Sequence, residues 1–124
     1  MKMLRVENIT RGTTVGHSVE VADTSLRRMW GLLGRRGLGA GSGLWIKPSS
    51  GVHTVGMAFK IDVVGLDRNL KVIKLWKSLP PFRVTSVSLK MASVIELPSG
   101  TIAETGVKVG DQFQMSAIEA PASV

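Results

Sequence analysis

The stretch His53–Asp67, HTVGMAFKIDVVGLD, constrains the fold more than any other part of the chain. Up to residue 63 its odd positions read His53, Val55, Met57, Phe59, Ile61 and Val63, and its even positions read Thr54, Gly56, Ala58, Lys60 and Asp62. Side chains alternate across a strand, so this pattern predicts a strand with one apolar face. Beyond Asp62 both faces turn apolar through Val63, Val64 and Leu66, which predicts a strand covered on both sides. Asp67-Arg68-Asn69 predicts a turn, because short polar side chains bond their own backbone there. Gly56 marks a bend or bulge. Without such a bend His53 and Asp62 stand about 30 Å apart on an extended strand. They meet only if the chain folds back near Gly56.

A chain of 124 residues is long enough to bury a core without a staple. We expect one domain over residues 1–118 and a flexible tail over 119–124. The absence of Cys excludes disulfides, thiolate zinc sites and cysteine nucleophiles. No apolar run is long enough to span a bilayer, and Met1-Lys2-Met3-Leu4-Arg5 does not resemble a signal peptide. A cytoplasmic protein is expected, although an exported form with its leader trimmed would read the same way. Sixteen Lys and Arg against nine Asp and Glu leave a charge of +7, a field that favours an anionic small molecule or an acidic protein as partner. Nucleic acid is disfavoured, since single-strand binding also wants aromatic stacking and Tyr is absent. No membrane partner, cofactor or metal is expected.

Met3 to Asn8 alternates as a strand. Thr10 to Gly16 reads as a turn, and His17 to Ala22 as a strand that pairs back in a hairpin. His17 shares the face of Val19 and Val21, which predicts a half-buried structural histidine. Asp23 or Thr24 can cap a helix whose stripe is Leu26, Met29, Trp30 and Leu33. Gly34 or Gly37 ends it. GLGAGSG over 37–43 is not a phosphate loop, because the order is helix, loop, strand. A flexible connection, the rim of a site, is the better reading. Leu44 to Lys47 is a short strand stopped by Pro48. Leu70 to Leu79 is a strand that Pro80-Pro81 breaks, and Val84 to Lys90 alternates weakly. Ser93 to Leu97 is a strand ending at Pro98. Ser99 is placed to cap one helical turn over Thr101–Thr105, closed by Gly106. Val109-Gly110-Asp111 turns the chain into a last strand over Gln112–Ile118. The fold class is therefore mainly β, a β-rich α+β domain. We expect a small barrel or sandwich of short, mostly antiparallel strands with one main helix packed on it.

Several separated pieces resemble one family: Arg28-Met29-Trp30-Gly31-Leu32-Leu33-Gly34-Arg35 followed by Leu38, Gly43-Leu44-Trp45-Ile46, His53 to Phe59, Ile61-Asp62-Val63-Val64, Val94 to Gly100, and Gly106 to Asp111. In order and spacing they are similar to the bacterial and archaeal domain of unknown function 192, over about residues 22–116. The resemblance implies a small β-rich domain with a packed helix and supplies no activity. His53-Thr54-Val55-Gly56-Met57 looks like the family's His-Thr variant. Lys60 stands where members commonly carry Pro.

The ligand-binding candidates are His53, Thr54, Asp62, Glu96 and Arg35. Asp62 sits among apolar neighbours, and a buried carboxylate is costly unless bonded or paired. The structural reading has it held by the amides of a turn or paired with Lys60 or Arg35. The functional reading makes it a general base or a ligand contact. Glu96 shares a face with Val94 and carries the same ambiguity. His53, Asp62 and Glu96 lie too far apart for a local metal motif, and no serine sits in a nucleophile elbow. The preferred function is a non-catalytic binding or accessory module. The alternative is a hydrolase or lyase using His53 with Asp62 or Glu96, and a third reading, nucleic-acid binding through the basic surface, rests on charge alone. It requires those groups to reach one pocket.

Overall fold

The structure, a computed structural model, describes residues 2–22, 38–49, 59–81 and 88–118. The predicted helix over 23–34, His53 to Ala58, most of Val84 to Lys90 and the tail at 119–124 lie outside the described residues. Within them the strands are β1 (Met3–Asn8), β2 (Thr13–Ala22), β3 (Ser42–Ile46), β4 (Ile61–Leu66), β5 (Val72–Leu79), β6 (Ser93–Pro98) and β7 (Phe113–Ala117). One short helix, α1 (Thr101–Thr105), joins β6 to β7.

The strands form one sheet in the order β5-β4-β6-β3-β2-β1-β7. Neighbours run antiparallel except β2 and β3, which are parallel. The sheet curls until its two edges touch: Lys71 bridges Gln112, the Val72 amide donates to the Asp111 carbonyl (2.8 Å), and the Phe113 amide donates to the Leu70 carbonyl (2.9 Å). The result is a half-barrel closed at one point.

Curling gives the sheet two unlike faces. Val6, Val19, Trp45, Val64, Ile95, Leu97, Ile102 and Phe113 belong to the inner cluster. Leu44, Ile46, Ile61, Val63 and Val94 form a second cluster on the outer face. Every residue of β4 is buried, because β5 and β6 flank it and both faces are covered. That matches the run of apolar residues after Asp62.

Three expectations need correction. The strand read over His53–Val63 begins only at Ile61, and Phe59 and Lys60 precede it. Its partners run out there: Ile61 faces Leu79, just ahead of Pro80-Pro81, and Pro98, which has no N–H. β2 begins at Thr13, so the first turn is Ile9–Gly12 alone. His17 is exposed, not half-buried. Leu4 pairs with Val19 and Val6 with Gly16, so His17 and Ser18 together oppose Arg5 in a bulge. A bulge inserts one residue and breaks the period-two alternation on which the inward reading depended. Both bulge amides donate to the Gly41 carbonyl, at 2.7 and 3.0 Å. The glycine-rich loop thus serves at Gly41 as a clamp on β2.

Candidate functional site

The two predicted acids leave the sheet on opposite faces. Asp62 alternates with Val64 and Leu66 and points inward, whereas Glu96 alternates with Val94 and points to the outer cluster. Among the described residues the sheet itself separates the two carboxylates. Glu96 is buried and engaged rather than free. His53, Thr54 and Arg35 lie outside the described residues.

Asp62 is 1% exposed and serves as an anchor for backbone amides. Its Oδ1 accepts from the Ser78 amide at 2.8 Å. Its Oδ2 accepts from the Gly100 amide at 3.1 Å and the Ile102 amide at 2.8 Å. Ser78 reaches it through another bulge: Ile61 pairs with Leu79 and Val63 with Trp76, so Lys77 and Ser78 oppose Asp62 alone. Ser78 takes φ 49 there. At α1 the expected Ser99 cap is replaced. The N-cap is Gly100, with φ 99 and no side-chain cap bond of its own. Asp62 supplies the acceptor that the first amides of a helix lack. Ser99 instead pairs its hydroxyl with that of Ser78 at 2.6 Å.

A second buried acid, Asp111, is also structural. Its Oδ2 accepts from Asn8 Nδ2 (2.8 Å), Arg11 Nε (2.7 Å) and the Lys108 amide (2.9 Å). Burial by itself would raise this carboxyl. The Arg11 and Asn8 hydrogen bonds, the Lys108 amide and the Arg11 charge outweigh it and hold the pKa below its ordinary value. The group ties the β1–β2 turn to the start of β7.

With Asp62 held by backbone amides and Asp111 by Asn8, Arg11 and the Lys108 amide, the candidate site is a cavity of about 600 Å³. It forms where the end of β3, the β4–β5 turn and the start of β6 meet, and Trp45, Lys47, Arg68, Leu70 and Ser93 line it. Among the described residues further clefts of about 410 and 250 Å³ also occur. Backbone bonds set the walls. The Ser49 amide donates to the Ala92 carbonyl (2.9 Å), and the Ala92 amide donates to the Leu66 carbonyl (2.8 Å). Asp67 folds the turn as predicted, its Oδ1 accepting from the amides of Asn69 (2.8 Å) and Lys71 (2.9 Å). Leu70 follows in the left-handed region at φ 64, a strained setting for a branched side chain. Strain of this kind concentrates at ligand-binding positions.

Trp45 is the aromatic residue of the lining. It is 8% exposed, and the Lys47 ammonium lies 4.3 Å from its ring centroid, within range of a cation–π contact. Two buried side-chain polar atoms among the described residues lack a hydrogen-bond partner, Thr13 Oγ1 and Trp45 Nε1. Of these two residues only Trp45 lines the cavity. The sequence marked Trp45 and Lys47 as strand and Arg68 as turn. It held no signal that they converge, because that depends on β3 and β4 flanking β6.

A curled half-barrel with a ligand-sized cavity beside its inner core defines a small β-sheet protein of one architectural type. The chain belongs to the DUF192 family, described as "Uncharacterized ACR, COG1430", whose profile matches residues 6–115. The match therefore takes in the second half of β1 and all of β2, ahead of the pieces that carry the resemblance. A UPF0127 protein from Pyrococcus furiosus is 30% identical over 110 residues, covering 86% of this chain and 94% of that one. Two crystal structures share the fold. One is a "putative transcription regulator" from Sinorhizobium meliloti 1021, with TM-score 0.76, 21% identity and 92% of each chain covered. The other is a protein of unknown function from Novosphingobium aromaticivorans DSM 12444, with TM-score 0.74, 21% identity, and 90% of this chain and 83% of that one covered. Among the described residues no helix is long and apolar enough to cross a membrane.

Proposed function

We propose that the chain is a non-catalytic binding module that takes a small ligand in the Trp45 cavity. One observation carries the reading: a cavity of about 600 Å³ opens where three segments meet, and it is lined by aromatic, apolar and cationic side chains, among them Trp45, Leu70, Lys47 and Arg68. The volume falls within the usual range for small-molecule sites. A concave site favours a small ligand over an acidic protein segment. The hydrolase or lyase alternative loses support, because Asp62 spends both oxygens on amides and Glu96 lies on the other face.

The test is a fragment screen by two-dimensional NMR on the full chain. Binders should shift the Trp45 indole resonance together with the amides of Leu70 and Ser93. If no fragment at millimolar concentration perturbs that set, the cavity is not a binding site.

A further inference from the structure

We infer that the closing seam of the half-barrel docks on an anionic phospholipid surface as a peripheral contact. The inference is independent of the cavity reading and shares with it only Asp67, Arg68 and Leu70, which also line the cavity. Three turns converge at the seam, over residues 9–12, 67–71 and 108–110. Gln112 ties two of them together. Its carbonyl accepts from the Ile9 amide (2.9 Å), its own amide donates to the Thr10 hydroxyl (2.8 Å), and its side-chain amide donates to the Asn69 carbonyl (2.7 Å). The third turn is fixed by the Gly110 amide on the Val72 carbonyl (2.8 Å) and by Asp111, which holds both the Lys108 amide and Arg11.

Two of these turns expose an aliphatic side chain: Ile9 is 54% exposed and Val109 is 62% exposed. Neither belongs to a core cluster. A lone exposed aliphatic is ordinary, but these two sit on turns strapped to adjacent residues, with cations beside them. Lys108 adjoins Val109, and Arg68 and Lys71 stand on the turn that Gln112 joins to Ile9. All three cations are exposed and make no ion pair among the described residues. Arg11 and Asp111 cancel in their own pair, which leaves Asp67 as the acid set against three cations. Aliphatic groups enter the headgroup boundary, and each Lys or Arg near an anionic surface strengthens binding by about fivefold. The turns are already fixed by hydrogen bonds, so docking orders little. Nucleic acid fits less well, because these turns hold no aromatic side chain. A purely acidic polypeptide would answer the cations without burying Ile9 and Val109. The expectation of no membrane partner concerned spanning segments, and a peripheral contact needs none.

Co-sedimentation of the full chain with vesicles tests this, using phosphatidylcholine alone and an equimolar mixture with phosphatidylglycerol. The protein should pellet with the anionic vesicles, stay in the supernatant with the neutral ones, and be released by salt. Ile9→Ser combined with Val109→Ser should weaken binding by at least about tenfold, through lost apolar burial. Lys71→Gln combined with Lys108→Gln should weaken it by about twentyfold. Lys60→Gln combined with Lys77→Gln removes the same charge from exposed positions elsewhere and should weaken it by less than about twofold. All six positions are exposed, so thermal melts near wild type separate lost binding from lost fold. The assignment is overturned if neither vesicle binds, if neutral vesicles bind as well as anionic ones, or if the serine pair binds like wild type. It is equally overturned if the Lys60 and Lys77 pair loses as much as the Lys71 and Lys108 pair, since charge alone would then suffice. Poly-glutamate binding where the vesicles do not would give the surface to an acidic polypeptide instead.

Discussion

Asp62 shows how one side chain can organise three separate segments. Its carboxylate accepts amides 16, 38 and 40 residues away in sequence. Asp62→Ala should leave those donors buried and unmatched, at a cost of about 3 kcal/mol. A urea titration with an unchanged m-value and a clearly lower midpoint is the expected result, and a loss within about 0.5 kcal/mol, the scatter of ordinary surface substitutions, would show that Asp62 anchors nothing. That this acid is buried and bonded was legible from its apolar neighbours. The identity of its donors was not, because they come from a bulge at Ser78 and a helix start at Gly100. Asp111 supports a prediction of a different kind. Its pKa is lowered in the fold, so the folded state holds fewer protons than the unfolded state near that pH. Its stabilisation is fully present above the ordinary carboxylate value of 3.8 and is lost as pH falls through the lower folded value. Acid titration of stability should therefore show a component that disappears in Asp111→Asn. An identical acid profile for the two proteins would remove Asp111 from the account.

At the scale of elements, close backbone approach fixes where side chains are forbidden. A Cβ on Gly43 in β3 would lie 2.8 Å from the Glu96 carbonyl and 3.0 Å from Leu97 Cδ2. The carbonyl belongs to the adjacent strand β6 and cannot withdraw without parting the two. Gly43→Ala should cost about 2 kcal/mol as overpacking. Gly65 in β4 is crowded instead by the Met91 thioether, the movable end of a flexible side chain. Gly65→Ala should be the milder change, and thermal melts of the pair give the order directly; the reverse order would contradict the geometry. The same distinction separates what the sequence disclosed from what it hid. β1, the Asp67 turn, β6 and α1 were legible because each is written in local alternation, Asx chemistry or a Gly and Pro boundary. The bulges at His17 and Ser78 were not, since a one-residue insertion leaves no local mark. The parallel pairing of β2 with β3 was equally hidden, because alternation within a strand does not fix the direction in which it pairs.

At the scale of the molecule, the curl turns a sheet into a container with an inner core and a cavity beside it. Composition and strand count pointed to a barrel or sandwich. Neither shows that the two ends of the sheet meet where Lys71 bridges Gln112 and the neighbouring amides bond across. Closure at one point makes the two edge strands depend on each other although they stand at opposite ends of the strand order. Phe113, 1% exposed, and Val72 are the inner-core side chains next in sequence to that seam. Phe113→Ala should cost about 4 kcal/mol, a large part of the stability of a domain this size. Because the Phe113 amide bonds to Leu70 and the Val72 amide to Asp111, the loss should reach both edges. Hydrogen exchange distinguishes the cases. If the seam is cooperative, the amides of Val72, Gly110 and Phe113 speed up together in Phe113→Ala. If β7 amides exchange faster while Val72 keeps its wild-type protection, the edges are independent and the half-barrel is held by its two faces alone.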